Sequence, residues 1–269
     1  MFIIILFFIY GLALGSFANV VIYRLHEEKS IISRGSRCQK CDKKISWRDN
    51  VPVLGFVLLK GKCRNCMAKI SWQYPLVEIA TGAVFALIGY FYTIGSIGTL
   101  LDAILYALVA VCFVIIFVYD LKYMEIPMSV MWSAIGLLLI ILIISQVQDK
   151  SVSSYSNWMQ IKIVSHLVSA LVAFVFFFGL SFVSNETWMG YGDAFVAIAI
   201  GLLLGPMGTF LALMCAFCIG AIVGIVLVLL GGKTMKTAIP FGPFLLLGLF
   251  IVFVIEHLYP GFLDYFLLF

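Results

Sequence analysis

Apolar residues run through this chain in long blocks separated by short polar stretches, and the blocks recur from one end to the other. A helix needs about 20 mainly apolar residues to cross roughly 30 Å of hydrocarbon. On that length the pattern predicts eight spans, at residues 2–22, 76–94, 98–119, 127–146, 162–183, 193–205, 208–230 and 243–258. The sixth is short. A single helix over 193–230 would overshoot the bilayer, and Gly205-Pro206-Met207-Gly208 is a strong turn signal, so the stretch is divided there. Because the apolar runs continue to Phe269, the first is read as a span and not as a removable secretory signal.

Composition agrees with lipid as the main solvent: 64% of the 269 residues are hydrophobic and 11% charged, against about 25% charged in a soluble domain. The net charge of +4 comes from a local concentration, since 12 of the 17 Lys and Arg residues lie between Arg24 and Lys69. In a membrane protein such a cluster reports topology before it suggests a nucleic-acid partner, and none is expected. Basic short loops stay cytoplasmic, so residues 24–75 are placed inside. Alternation then brings Lys122, Lys233 and Lys236 to the same side and leaves Lys150 and Lys162 outside. This topology puts Asp120 at the inner end of the third span and Asp193 at the inner start of the sixth, so both carboxylates meet one membrane face.

The basic loop repeats itself at an offset of 25: Cys38, Cys41, Lys44, Ile45, Ser46 and Trp47 recur as Cys63, Cys66, Lys69, Ile70, Ser71 and Trp72. Two C-x-x-C pairs at this separation match a tetrahedral four-cysteine zinc site. The alternatives are two disulfides or free thiols, and a reducing cytosol disfavours the first. Four thiolates close the coordination shell, so the zinc is expected to be structural and to fold a loop too small for its own core. Cys112, Cys215 and Cys218 lie within spans and read as small apolar side chains.

Acidic residues in apolar helices are costly and invite a functional reading. Asp120 follows Phe117-Val118-Tyr119, and Asp193 follows Gly190-Tyr191-Gly192. Taken singly, Asp193 could be a helix N-cap and Asp120 an interface charge beside Lys122. Taken together, two close carboxylates share a proton, so one can activate water while the other protonates a departing amine. That is aspartic peptidase chemistry. The three histidines, His26, His166 and His257, show no pairing with a nucleophile. Gly190 and Gly192 would let a substrate strand or a helix approach the backbone. Glu125 and Glu186 share that side of the membrane, and spacing alone does not exclude them from the pair.

These residues resemble the bacterial type IV prepilin peptidases, of the G-x-G-D intramembrane aspartic peptidases. Gly15-Ser16-Phe17-Ala18-Asn19-Val20 with Tyr23-Arg24-Leu25, the doubled cysteine knuckle, Trp47 with Asp49-Asn50-Val51-Pro52, and Tyr74-Pro75 with Glu78 look like the family's N-terminal signature. Asp120 with Ile126-Pro127, Gly190-Tyr191-Gly192-Asp193 and Phe241-Gly242-Pro243-Phe244 look like its peptidase signature. The resemblance implies a bifunctional enzyme of the bacterial inner membrane. It would cut the basic leader from prepilins or pseudopilins at the cytoplasmic face, then methylate the new N-terminus with S-adenosylmethionine. Asp120 and Asp193 would be the catalytic pair; Asn19, Arg24 and Glu78, with Gly190 and Gly192, would bind substrate or cofactor. Two positions depart from the pattern: Met128, where many members carry Asp or Asn, and Phe195, where many carry Lys.

The expected architecture is an all-α membrane bundle of about eight transmembrane helices, with a zinc-binding cytoplasmic insertion between the first two. Residues 1–94 would form the methyltransferase part and 95–269 a six-span peptidase core, embedded in membrane lipid. A rival reading is a transporter with intramembrane aspartates, although such sites favour the midplane and repeated halves. Another is a metal-sensing membrane protein whose aspartates are caps, and a third is a peptidase without methylation. Oligomeric state and the pilins processed are open.

Overall fold

A computed structural model describes residues 1–30, 35–148, 162–187, 189–230 and 239–262. Arg34, Lys150, Lys233 and Lys236 of the charge pattern lie outside the described residues. Within them the chain is helical, and the only β contacts are two isolated bridges in the cysteine loop. Six helices are long and apolar enough to cross a membrane: α1 (Phe2–His26), α3 (Gln73–Thr93), α4 (Leu100–Tyr123), α5 (Met128–Gln148), α6 (Lys162–Ser184) and α7 (Tyr191–Leu229). The short α2 (Leu54–Leu58) belongs to the cysteine loop, and α8 (Gly242–Leu258) is a shorter apolar helix. Lipid offers no partner to backbone N–H and C=O groups, so helices that satisfy both internally are the form these apolar runs must take.

The chain divides into two compact units, Met1–Val118 and Tyr119–Phe269, with the division inside α4. In the first, α1 packs on α3 through small residues. Gly11 lies against Gly82 and Phe85, and Gly15 against Glu78 and Thr81, the close approach that small side chains permit between membrane helices.

In the second unit, α7 is broken at Gly205, whose φ of 67° and ψ of −171° are not helical. A straight helix would place Asp193 and Phe217 about 36 Å apart. Yet Gly242 lies against Asp193, and its neighbour Phe241 lies against Phe217, with ring centroids 5.1 Å apart. The two arms of α7 therefore fold back on each other. The turn falls where the Gly-Pro signal predicts it, and it divides the 193–230 stretch as the sequence suggests. With both arms of α7 and α8 counted, the described residues hold eight apolar helical segments, of which the arms of α7 and α8 are not each counted among the six crossing-length helices.

The turn has its own polar support. Pro206 has no N–H, so the Leu202 carbonyl one turn earlier loses its helical donor. His166 Nδ1 on α6 takes that place at 2.8 Å, and because a carbonyl only accepts, the ring donates. Thr209 Oγ1 donates to the Gly205 carbonyl at 2.5 Å, and Ser169 Oγ donates to Thr209 Oγ1 at 2.9 Å. α8 runs antiparallel to the second arm, with Phe244 near Gly220 and Gly248 against Ala212.

Candidate active site and metal knuckles

α4 extends past the predicted end of the third span, so Asp120 sits in its last turn and not at its tip. The Met124 N–H donates to the Asp120 carbonyl at 2.8 Å, and Met124 takes a positive φ of 56°, which ends the helix. Ile126 then packs on Gly192, and the Pro127 carbonyl accepts the N–H of Val130 and Met131 as α5 begins. On the other side, Ser181 Oγ donates to the Met189 carbonyl at 2.8 Å and holds the entry to α7 against α6.

Gly190 is the N-cap of α7, so Asp193 lies within the first turn and is not itself the N-cap. Its N–H donates to the Gly190 carbonyl at 3.2 Å. The Gly190 N–H faces the Asp193 carboxylate in return, as the third residue of a capping box does.

Asp120 and Asp193 are 5% and 6% exposed, whereas Glu125 and Glu186 are exposed, and burial is what separates the pair from the alternatives. A Cβ built on Gly242 would stand 2.5 Å from Asp120 Oδ2 and 3.4 Å from Asp193 Oδ1. Both carboxylates thus approach the space that a side chain at Gly242 would fill, and the Gly242 N–H faces Asp120. α4, α7 and α8 each supply one wall. Phe241 holds the α8 wall in place by contacts with Phe177, Phe217 and Phe244.

The other predicted residues fall as follows. Gly192 faces Ile126, where an added Cβ would stand 2.9 Å from Ile126 Cδ1, so its smallness serves a neighbouring element. Gly190 is exposed. Phe195 packs on Trp132 and Phe174, with centroids 5.4 and 5.7 Å away, in an apolar seam between α5 and α6. Asp102, a buried acid that the sequence reading passed over, caps α4: the Thr99 N–H and Oγ1 donate to its Oδ2 at 3.1 and 2.7 Å. Its signal was the T-x-x-D at residues 99–102.

In the first unit, a cavity of about 1040 Å³ lies between α1, α3 and the cysteine loop, and Asn19, Arg24 and Glu78 all line it. Asn19 is spent on structure: Nδ2 donates to the Gly15 and Tyr74 carbonyls at 3.3 and 3.2 Å, and Oδ1 accepts from Gln73 Nε2 at 3.4 Å. Arg24 is half-buried and donates to the Ser30 carbonyl at 3.3 Å. Glu78 is 6% exposed and accepts the Val53 N–H at 2.7 Å.

The two knuckles repeat in structure as in sequence. Cys38 N–H donates to the Lys43 carbonyl at 3.0 Å, and Cys63 N–H to the Ala68 carbonyl at 2.8 Å. The bridges Arg37–Lys44 and Lys62–Lys69 correspond in the same way. The Sγ atoms of Cys38, Cys41, Cys63 and Cys66 lie within 4.8 Å of one another as free thiols. Tetrahedral Zn–S bonds of about 2.3 Å require sulfurs about 3.8 Å apart, and Cys38 and Cys66 stand 3.8 Å apart. The N–H groups of Cys66 and then Asn65 draw the Cys63 thiol down to about 6. At Cys66 the Ala68 N–H acts downward, but desolvation and the thiols of Cys63, Cys41 and Cys38 carry the group up to about 11. The cluster can hold a metal ion, with one thiol already prepared to lose its proton.

Two family models match the chain in succession. The Bacterial Peptidase A24 N-terminal domain matches residues 9–92, and the Type IV leader peptidase family matches residues 107–225. A Vibrio cholerae prepilin leader peptidase/N-methyltransferase is 32% identical over 75% of this chain and 78% of its own. The protein of that name from Legionella pneumophila is 28% identical over 96% of this chain and 93% of its own. That from Klebsiella pneumoniae is 46% identical over 31% of this chain and 39% of its own. No solved structure matches. On these matches, with two buried aspartates meeting inside one and a four-cysteine cluster inside the other, the chain belongs to the type IV leader peptidase family.

Proposed function

We propose that this protein cuts the leader from prepilin-like substrates at the cytoplasmic membrane face and then methylates the new N-terminus. The observation that carries the first step is the convergence of Asp120 and Asp193 on Gly242. One carboxylate, ionised, takes a proton from water as its oxygen attacks the scissile carbonyl carbon. The other, protonated, gives its proton to the departing nitrogen as the C–N bond breaks, leaving an acid and an amine. The division of labour is residues 95–269 for cleavage and 1–94 for methylation. The cytoplasmic face rests on the basic loop and the positive-inside rule. A basic leader gains nothing by attraction to a basic loop, so docking rests on the substrate's apolar helix packing among the spans. The partners are pilin or pseudopilin precursors of a pilus or secretion system, in membrane lipid.

For methylation, the first-unit cavity suits S-adenosylmethionine in size, since ligand pockets run to about 1,000 Å³, and in holding a buried carboxylate for a cationic ligand. That cofactor supplies an electrophilic methyl on a sulfonium. Glu78, which lines that cavity, would accept the proton that the attacking amine must lose. Glu78→Gln is expected to lower methylation about a hundredfold, in the range of general-base catalysis, with leader cleavage unchanged. Purified protein given a pre-cleaved peptide and tritiated cofactor measures it.

Zinc fits the four thiols better than other metals of the cytosol because soft tetrahedral sulfur sites select it. It contributes folding energy, on the order of 10 kcal/mol in comparable small sites. Cys63→Ser is therefore expected to lose the bound zinc and to open residues 35–72 to protease, read by metal analysis and limited digestion.

The test of the whole reading is co-expression with a prepilin, followed by mass spectrometry of the mature N-terminus. Loss of the leader and gain of one methyl are expected. An uncut prepilin sinks the first activity, and a cut but unmethylated one sinks the second.

A further inference from the structure

The segment between the knuckles carries a strained residue. The Leu54 N–H donates to the Pro52 carbonyl at 2.5 Å across Val53, whose φ of 60° and ψ of −50° form a γ-turn of the rare, strained kind. A β-branched residue adopts that conformation only where its surroundings impose it. The turn projects the Val53 N–H outward, and this N–H donates to Glu78 Oε2 at 2.7 Å. The Ser16 hydroxyl also reaches Glu78. One of the two contacts that orient the cavity's buried carboxylate therefore comes from a turn that would relax if its ends were free.

One end is held from the second knuckle. Arg64, between Cys63 and Cys66, donates through Nε and Nη2 to Asp49 Oδ2 and Oδ1 at 2.9 and 2.6 Å. This is the two-pronged geometry that gives an arginine–carboxylate pair directional strength. The Asp49 side chain is 8% exposed and that of Arg64 66%, so the pair is shielded on its carboxylate side only, and its weight lies in the two-pronged geometry. Asp49 in turn belongs to the 3₁₀ turn Trp47–Asn50, which ends three residues before the strained Val53.

We propose that Arg64 is a positioning residue: by pinning Asp49 it makes the metal knuckle hold the 49–55 turn, and through Val53 the Glu78 carboxylate, in register with the cavity. The metal centre then serves methyl-donor binding through a specific strut, in addition to folding its own loop. This rests on the reading of the cavity as the donor site, and two measurements keep the two ideas apart.

The first is hydrogen exchange of peptides covering residues 47–59 in the zinc-loaded full-length protein. Arg64→Ala and Asp49→Asn are each expected to speed exchange at Val53 at least tenfold, with zinc content unchanged. The double variant should do no more than either single one, because both remove the same link. Arg64→Lys should fall with Arg64→Ala, since an ammonium cannot make the fork. The second is binding of S-adenosylhomocysteine by calorimetry, expected to weaken about tenfold in the same variants while leader cleavage stays at wild-type rate. Unchanged exchange at Val53, additive single effects, or loss of zinc from Arg64→Ala would overturn the strut. If the variants show the exchange pattern but the wild-type protein binds no S-adenosylhomocysteine, the donor-site reading is overturned and the strut stands.

Discussion

Asp120→Asn and Asp193→Asn are each expected to reduce leader cleavage by at least about a thousandfold, with the protein still accumulating in the membrane. General acid–base groups contribute about 10² to 10⁴ to rate, and an amide can neither take a proton from water nor return one. Because the two act as a unit, the double variant should be no worse than either single one. Stability should move the other way. Both carboxylates are nearly buried and lie beside Gly242, so keeping one of them ionised there opposes folding through lost hydration, and a neutral isostere relieves that cost. A thermal midpoint higher by a few degrees is expected. Co-expressed prepilin and thermal unfolding in detergent read both effects. Wild-type cleavage by either variant would remove that residue from the pair. Loss of activity accompanied by a lower midpoint would point to a capping or structural role.

Gly242→Ala is expected to lower the cleavage rate about a hundredfold while leaving substrate affinity within a few-fold. The added Cβ would stand 2.5 Å from Asp120 Oδ2, closer than such contacts allow, so the carboxylate or the start of α8 must move. A displacement of about 1 Å at reacting groups costs roughly that much in rate. Two other glycines separate geometry from stability. At Gly248 the new methyl would run into the Ala212 carbonyl on the second arm of α7, so Gly248→Ala should mainly lower the thermal midpoint. At Gly136 nothing lies within 4 Å, so Gly136→Ala should be silent in both assays. If Gly242→Ala cleaves normally, α8 does not form part of the reaction centre.

The aromatic seam bears on one departure from the family pattern. Phe195 stands where the resemblance to the family pattern would put Lys, and its ring is committed to Trp132 and Phe174. A charged side chain there would have to leave that apolar seam.

Much of this molecule could be read from the sequence, because lipid makes the decisive constraints local. An apolar run of sufficient length must become a helix wherever it occurs, so the spans followed from the residues, including the break at Gly205-Pro206. The four-cysteine cluster was equally legible, since ligand spacing within a C-x-x-C pair and its repeat at an offset of 25 need no distant contact. From helix pattern alone the acid pair was legible only as a set of candidates, from which the resemblance to the family singled out Asp120 and Asp193. Asp120, Asp193, Glu125 and Glu186 sit near helix ends by sequence alone, and which ones meet depends on how each helix is rotated about its axis. Each residue turns a helix by about 100°, and packing of small side chains across several helices sets that angle. Tertiary structure decided that Asp120 and Asp193 face Gly242 while both glutamates face outward. It also decided that Asn19 ties α1 to α3, that Asp102 caps α4, and that Arg64 reaches Asp49. Those contacts join residues whose partners no local pattern specifies.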